Sequence, residues 1–383
     1  MKNEKFFEHG RVEGEHLHQY FLMEQLDVEA RLKKILMLVG QQGASDVHFV
    51  IGRYPTLRIN GKLHQLTQEK ILTPADTKAL AEIILTDDKK AELAEDGQTD
   101  LSYNFEDRAR FRVNIFYQKG YVSIAMRFVM NKIRPLEELN VPTSLYNFTN
   151  VSQGLVLMTG PVGHGKSTTL AALIDHINHT QEKHIVTIED PIEFVYEQDH
   201  CIINQREIGR DAKSFATALR AVLREDVNVV LLGELRDLDT ISTAMTAAET
   251  GHLIFATLHT NDAPQTIDRV IDVFPAHQQN QIRLQLANVL LGVVSQRLLP
   301  QLSGGRVPAI EIMFKNHAVE NLIRENKVHQ LDSVIETSMK EGMVSLDRSL
   351  ADLVRRGIVS IDDATAYAKN KDYFTMLVRK DDV

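Results

Sequence analysis

The order of apolar and polar positions divides the chain into regions of different period. Behind Asp27, a capping residue, Val28, Leu32, Ile35, Leu36 and Val39 recur at helical spacing, and Gly40 and Gly43 close the pattern. Short alternating segments follow: DVHFVI (Asp46–Ile51), TLRI (Thr56–Ile59) and KLHQL (Lys62–Leu66). The last two are separated by Asn60-Gly61, a pair suited to the positive φ angles of a tight hairpin. Thr73-Pro74 caps and opens a helix predicted to run to about Leu93. LSYNF, ARFRVNIFY and YVSIAMRFV then read as three strands, the last two joined at Gln118-Lys119-Gly120. One long helix amid a meander of strands predicts a small α+β domain over 27–132, and the two prolines of Ile133–Pro142 mark a linker.

From residue 150 the pattern changes. The runs GLVLMTG, HIVTIE, VNVVLLGE and HLIFATL alternate with helical segments after Lys166, around Phe215–Leu223 and over Thr240–Ala248. Short Val/Ile/Leu runs between helices predict a parallel sheet buried on both faces. Ile282, Leu286, Val289, Leu290 and Val293 predict a long amphipathic helix. After AIEIMF (Ala309–Phe314) the pattern is helical to the end. The domains expected are therefore a polar extension over 1–26, 27–132, the linker 133–142, an α/β core over 143–315 and a helical segment over 316–383.

Composition narrows the function. Residues 1–30 hold three Lys/Arg against seven Asp/Glu, a net of −4, which suits a solvated extension. The whole chain carries a net charge of −9, against the basic face expected of a protein that grips nucleic acid. The single cysteine, Cys201, excludes an intrachain disulfide and a four-cysteine zinc site. No apolar stretch is long enough to span a membrane, and MKNEKFFEHGRVEGEH lacks the apolar core of a signal peptide. A cytosolic enzyme is the expectation.

Four segments carry candidate chemistry. GPVGHGKS matches G-x-x-x-x-G-K-[ST] between a strand and a helix, where backbone N–H groups and a helix N-terminus converge on phosphate oxygens. Gly160, Pro161, Val162, Gly163, His164, Gly165, Lys166, Ser167 and Thr168 form this nucleotide-binding segment. Lys166 is expected on the β/γ-phosphates, and Ser167 on Mg²⁺. In VNVVLLGELRD a buried strand ends at Gly233-Glu234, lifting a carboxylate to the sheet edge, where it can orient or deprotonate a water. The plainer alternative is a surface glutamate after a core strand. In TIEDPIEF, Glu189, Asp190 and Glu193 crowd a strand end; they are either a solvated acidic turn or a cluster offset by a metal-bound nucleotide. In ETGHLIFATLHT, His252 and His259 bracket a strand seven residues apart, on opposite faces, so they do not share a metal. Either a phosphate contact or an ordinary structural role accounts for such histidines.

Together, GPVGHGKST, TIEDPIEF, GELRD and TAAETGHLIFATLHT resemble the Walker A, Asp box, Walker B and His box of the secretion-type AAA+ ATPases, in particular the type IV pilus retraction ATPases of the PilT/PilU group. NQREIGRD, TIDRVIDVFP and AVENLIRE are similar to further segments of that group, and the similarity runs from ASDVHF (Ala44–Phe49) to about Ala368. The resemblance implies an α/β RecA-like P-loop core, an N-terminal α+β PAS-like domain and a helical C-terminal segment. It implies a homohexamer that hydrolyses ATP with Mg²⁺ at subunit boundaries and drives pilus retraction in twitching motility. It also implies a cytoplasmic position against the inner membrane at the pilus base, with a platform protein of that membrane and a paralogous retraction ATPase as partners, and no nucleic acid. Glu234, Glu193, Glu189, His259 and His252 take the catalytic positions, and Arg112 and Arg127 match arginines that approach a neighbour's phosphates. The chain departs from the family at His164, where Ser is usual, and at Glu320, where an arginine is usual. An accessory paralogue acting with another hexamer, or the ATPase of a type IV secretion system, are the alternative functions. A helicase fits least, for want of a basic aromatic stripe.

Overall fold

The computed structural model describes residues 27–59, 61–105, 109–129 and 133–379, and the chain divides into two compact units, 1–131 and 132–383. The expected polar extension over 1–26 and Asn60 of the expected hairpin pair lie outside the described residues.

In the first unit a helix over 27–41 (α1) buries Leu32, Ile35, Leu36 and Val39, the stripe its spacing predicts. It is followed by β1 (Asp46–Phe49), β2 (Thr56–Ile59), β3 (Lys62–Gln65), α2 (Pro74–Ile84), α3 (Asp87–Asp96), β4 (Gln98–Phe105), β5 (Ala109–Gln118) and β6 (Tyr121–Val129). The strands form one antiparallel sheet in the order β3-β2-β1-β6-β5-β4. The β5–β6 turn is the two-residue Lys119-Gly120, both at positive φ (52° and 82°), whose twist matches that of the flanking strands. A capping box at Thr73 opens α2: Asp76 N donates to Thr73 Oγ1 at 3.2 Å and Thr73 N donates to Asp76 Oδ2 at 2.8 Å. The single helix expected to Leu93 is two. Leu85 turns extended, and Thr86 begins a second helix with Asp87 and Asp88 in its first turn, where the helix dipole favours them.

The second unit is built on a seven-stranded sheet ordered β13-β12-β7-β11-β10-β8-β9. Its elements are β7 (Gly154–Thr159), α4 (Lys166–Thr180), β8 (His184–Glu189), β9 (Ile202–Glu207), α5 (Phe215–Val222), β10 (Val229–Leu232), α6 (Leu238–Glu249), β11 (Leu253–Leu258), α7 (Ala263–Asp272), α8 (Ala276–Val289), β12 (Leu290–Pro300) and β13 (Arg306–Phe314). Only β13 runs antiparallel, against β12. Both faces are buried, as the unbroken apolar runs predict. Leu155 and Leu157 of β7 enter one core with α5 to α8, while Val156 and Met158 enter another with α4. Leu136 and Val141 of the proline-rich 133–142 segment are buried in that second core. Beyond β13 come α9 (His317–Arg324), α10 (Leu331–Thr337), α11 (Leu346–Arg355), α12 (Ile361–Tyr367) and α13 (Lys371–Arg379).

Two sequence expectations are corrected here. The helix expected across Ile282–Val293 ends at Val289, and Leu290 and Val293 belong to β12. Over so short a run, a helix stripe and a doubly buried strand are equally apolar. The sharper clue is Gly292: a Cβ there would lie 2.4 Å from Met313 O and 2.6 Å from the Phe148 ring, so the strand needs a bare backbone. β9 and α7 are also elements that the apolar pattern alone does not reveal. The spacing of Ala318–Arg324 predicts Ala318, Leu322, Val319 and Ile323 on one side of a helix; in α9 Val319 and Ile323 are buried, Leu322 is half-buried and Ala318 is exposed.

Gly292→Ala is expected to lower stability by about 1–3 kcal/mol, the usual range for overpacking a filled site. Urea denaturation of the purified chain measures it, and an unchanged midpoint would mean that β12 and β13 separate at little cost.

Candidate nucleotide site

The parallel strands deliver their carboxyl ends to one edge of the sheet, and the candidate residues gather there because β7 lies between β11 and β12, with β10 and β8 next in order. β7 ends at Thr159 and the chain enters the glycine-rich loop. Gly160 has φ +134°, and a Cβ on it would sit 2.3 Å from Gln296 O of β12, so only glycine lets the loop pass so close. α4 begins at Lys166, its N-terminal N–H groups facing the loop.

Lys166 is 7% exposed and donates from Nζ to Gly160 O at 2.7 Å and to Pro161 O at 3.0 Å. Nζ also lies 3.2 Å from His259 Nδ1. An ammonium only donates, so Nδ1 accepts and the imidazole proton sits on Nε2, which lies 3.5 Å from Glu234 Oε1. Glu234 Oε2 is in turn 2.7 Å from Arg236 Nη2. Burial lowers the Lys166 ammonium below its ordinary range, against the charges of Glu234 and Glu193. Burial would raise the Glu234 carboxyl, but hydrogen bonds from Arg236 and His259 and the Arg236 charge hold it below the ordinary range.

Glu189, at the end of β8, is 8% exposed and accepts a bond from Thr187 Oγ1 at 2.7 Å and one from Glu193 N at 3.3 Å. Burial pushes its pKa up to about 7 despite those bonds. Glu193 itself is exposed. Next to it, Ile192 N donates to the buried Glu207 Oε2 at 3.0 Å, which fixes the turn after β8. Ser167 and Thr168 lie half-buried in the first turn of α4.

The structure thus brings together the loop, Lys166, His259 and Glu234, with Glu189 and Glu193 at the adjoining strand end. It does not bring His252 to them. That residue precedes β11 at the opposite edge, its Nδ1 3.0 Å from Ala247 O; six strand residues, roughly 20 Å, separate it from the His259 end. Arg112 and Arg127 stand directly opposite each other on β5 and β6 of the first unit. Arg127 Nε donates to Asp46 Oδ1 at 2.9 Å, and both arginines are exposed.

Sequence reasoning missed the residues that brace the loop. Gln296 is 2% exposed; its Oε1 accepts from Thr169 Oγ1 at 2.8 Å and its Nε2 donates to His164 O at 2.9 Å. Leu298 N donates to His164 Nδ1 at 2.9 Å, and Arg306 Nη1 donates to Gly163 O at 3.2 Å. His164 therefore serves β12 as an acceptor, and burial together with Arg297, Lys166 and Arg306 keeps its pKa below the ordinary value. The available signal was Ser295-Gln296-Arg297, a polar run inside the otherwise apolar LLGVVSQRLL.

A strand, a glycine-rich turn and a helix whose first residue is a buried lysine define a P-loop protein. A model of the type II/IV secretion system protein family matches residues 23–366. The chain is 45% identical over 346 residues to the type IV pilus retractation ATPase PilT of Pseudomonas aeruginosa, covering 90% of this chain and 99% of that one. It is 42% identical over 319 residues to a twitching motility protein of Neisseria gonorrhoeae, covering 83% and 85%. The crystal structure of the pilus retraction motor PilT with bound ADP superposes with a TM-score of 0.83 at 44% identity, covering 89% of this chain and 98% of that one. The chain belongs to the type II/IV secretion system protein family, in its pilus retraction ATPase group. The mixed α/β fold is that of the PilT structure. Among the described residues no helix is long and apolar enough to cross a membrane.

The raised Glu189 pKa makes a signed prediction. The folded carboxyl holds its proton between about pH 4.5 and 7 while the unfolded one has lost it, so stability falls as pH rises through that window. Glu189→Gln is expected to remove a slope worth about 3 kcal/mol in total. Urea midpoints of the nucleotide-free chain at pH 5 and 8 measure it; equal pH dependence in variant and wild type would show that Glu189 titrates as an ordinary surface acid.

Proposed function

We propose that this chain is a Mg²⁺-dependent ATPase whose hydrolysis cycle drives type IV pilus retraction. The observation that carries the reading is the Lys166–His259–Glu234 chain on one glycine-rich loop: a phosphate-seeking cation, a proton-bearing imidazole and an ionised carboxylate within reach of each other. The 45% identity to a retraction ATPase over nearly the full length supports the output.

The loop fits a nucleoside triphosphate. Lys166 rests on carbonyl oxygens of its own loop, and phosphate oxygens can replace them without moving the helix. Glu234, held ionised by Arg236 and His259, is placed as base toward an attacking water. His259 senses both groups, since its two ring nitrogens face Lys166 and Glu234. The donor set also fits a cation. Ser167 would hold Mg²⁺, while Glu189, buried beside Glu193 and without a cationic partner among the described residues, has the chemistry to order its hydration shell; the ion would neutralise phosphate charge.

In this reading the second unit is a RecA-like core, over 143–315, followed by the helical segment 316–383. The first unit is PAS-like over 27–132, joined by 133–142, and residues 1–26 are an extension. Identical chains assemble as a hexamer at the cytoplasmic face of the inner membrane, against a platform protein at the pilus base, and a paralogous ATPase is a further partner. Arg112 and Arg127 of one subunit serve the phosphates of its neighbour, where a planar guanidinium suits developing γ-phosphate charge.

Wild-type protein is expected to hydrolyse ATP only with Mg²⁺ present. Glu234→Gln is expected to lower kcat by about 100-fold or more while ADP binding persists, and Lys166→Ala to lose nucleotide affinity. Normal turnover in Glu234→Gln would remove that carboxylate from the mechanism.

A second prediction concerns the output. Arg324 Nη2 donates to Asn288 Oδ1 at 2.8 Å and also pairs with Glu320, while Asn321 is exposed, so the hydrogen bonds of this polar face go to α8 and α9 and not to the glycine-rich loop, among the described residues. Asn321→Ala with Arg324→Ala is expected to leave folding and ATP hydrolysis largely intact and to abolish twitching of a complemented deletion strain. Normal twitching would reduce α9 to a packing element, and parallel loss of ATPase activity would place it in assembly or catalysis.

A further inference from the structure

The loop that carries His259 joins β11 to α7, and successive residues of it are tied to different elements. His259 faces Lys166 and Glu234. The hydroxyls of Thr260 and Thr266 are 2.7 Å apart. Asn261 Oδ1 accepts from Arg297 Nη2 of β12 at 2.6 Å, and Asp262 Oδ1 accepts from Gln265 N at 2.9 Å, capping α7. Ala263 N donates to Glu311 Oε1 of β13 at 2.9 Å.

The far end of these ties meets a lysine, with Arg297 adding a second positive charge toward Asp262 and Glu311. Lys369, between α12 and α13, places Nζ 2.8 Å from Glu311 Oε2, 3.1 Å from Asp332 Oδ1 and 3.5 Å from Asp262 Oδ2. Its own backbone is fixed, because Asp347, 4% exposed, accepts from Lys369 N at 2.7 Å and from Asn370 N at 2.9 Å. Glu311 is 1% exposed, so its charge has left water and needs this partner. Burial raises the Glu311 pKa against that pairing, and burial alone would lower that of Lys369, but the carboxylates around it hold its ammonium above the ordinary range.

We propose that Lys369 is a positioning residue for His259, and that through Asp262 and Glu311 it couples the C-terminal helices to the nucleotide site. Without its charge, Asp262, Glu311 and Asp332 repel one another. Asp262 then leaves the head of α7, and the histidine four positions before Ala263 loses its fixed approach to Glu234. The inference rests on the ATPase reading above, and its test separates the two.

Lys369→Met alone strands a buried carboxylate and risks unfolding, so the informative variant is Lys369→Met with Glu311→Gln, which keeps the acceptor for Ala263 N and the local charge balance. Full-length wild type, this double variant and Lys369→Arg are compared by urea midpoint, amide hydrogen exchange over residues 256–266, and steady-state ATP hydrolysis. The double variant is expected to stay folded, to exchange about tenfold faster in that segment alone, and to lose about tenfold in kcat with KM for ATP within about twofold. Lys369→Arg is expected to match wild type in all three. Wild-type exchange and kcat in the folded double variant would overturn the proposal, and so would faster exchange spread evenly over the core, the mark of a stability role only. A wild-type chain that does not hydrolyse ATP would overturn the ATPase reading instead, and local exchange would still decide whether Lys369 holds the loop.

Discussion

The site depends on where one buried ammonium can find oxygen. Lys166 starts a helix at 7% exposure, and a lysine there is tolerable only if its charge is met at once. The loop meets it with the carbonyls of Gly160 and Pro161, which forces the backbone to fold back over the helix N-terminus. That reversal in turn needs Gly160 against Gln296 O, and it needs β12 beside β7. Gly160 and the buried glutamine thus help to seat one cation at the head of α4, where the proposed reading puts the phosphates. Loop carbonyls suit this because they are weaker partners than a carboxylate and can be exchanged for phosphate.

The parallel sheet explains why acids and histidine reach that cation from distant sequence positions. β10, β11 and β8 all point the same way as β7, so Glu234, His259 and Glu189 emerge at one edge although 70 residues separate the first and last of them. The same geometry removes His252, which begins the strand that His259 ends. Two histidines of one motif thus have separate surroundings: one touches the lysine, the other the C-terminal carbonyl of Ala247 on α6.

Much of this was legible in the sequence because its signals are local. The glycine loop, the apolar runs and the stripe of α1 each reflect a constraint acting within about ten residues, and each is observed. What was not legible depends on tertiary contact. The break at Leu85-Thr86 sits inside a run with good helical periodicity. The start of β12, Leu290 to Val293, continues the helical stripe of α8, because a buried strand and a helix stripe share their apolar spacing. Gln296, Arg306 and the Lys369 cluster become meaningful only once β12 and β13 lie beside the loop, more than 130 residues from it in sequence for Gln296 and His164. A buried polar residue in an apolar run is the one trace such contacts leave.

The first unit shows how a strand pairing can prepare charge for use elsewhere. Register places Arg58, Asp46, Arg127 and Arg112 in one row across β2, β1, β6 and β5. Burial would raise the Asp46 carboxyl, but hydrogen bonds from Ser45 and Arg127 hold it low, so it stays a carboxylate through the neutral range. It engages Arg127 at Nε, the inner nitrogen, while the side chain stays 70% exposed. One negative charge among three guanidiniums leaves the row cationic, and the bond to Nε limits the freedom Arg127 would otherwise lose on meeting an anion. A guanidinium restrained at its base and open at its tip is suited to a phosphate brought by another molecule. The proposed reading of Arg127 as a group serving a neighbouring chain draws its physical support from this restraint by Asp46.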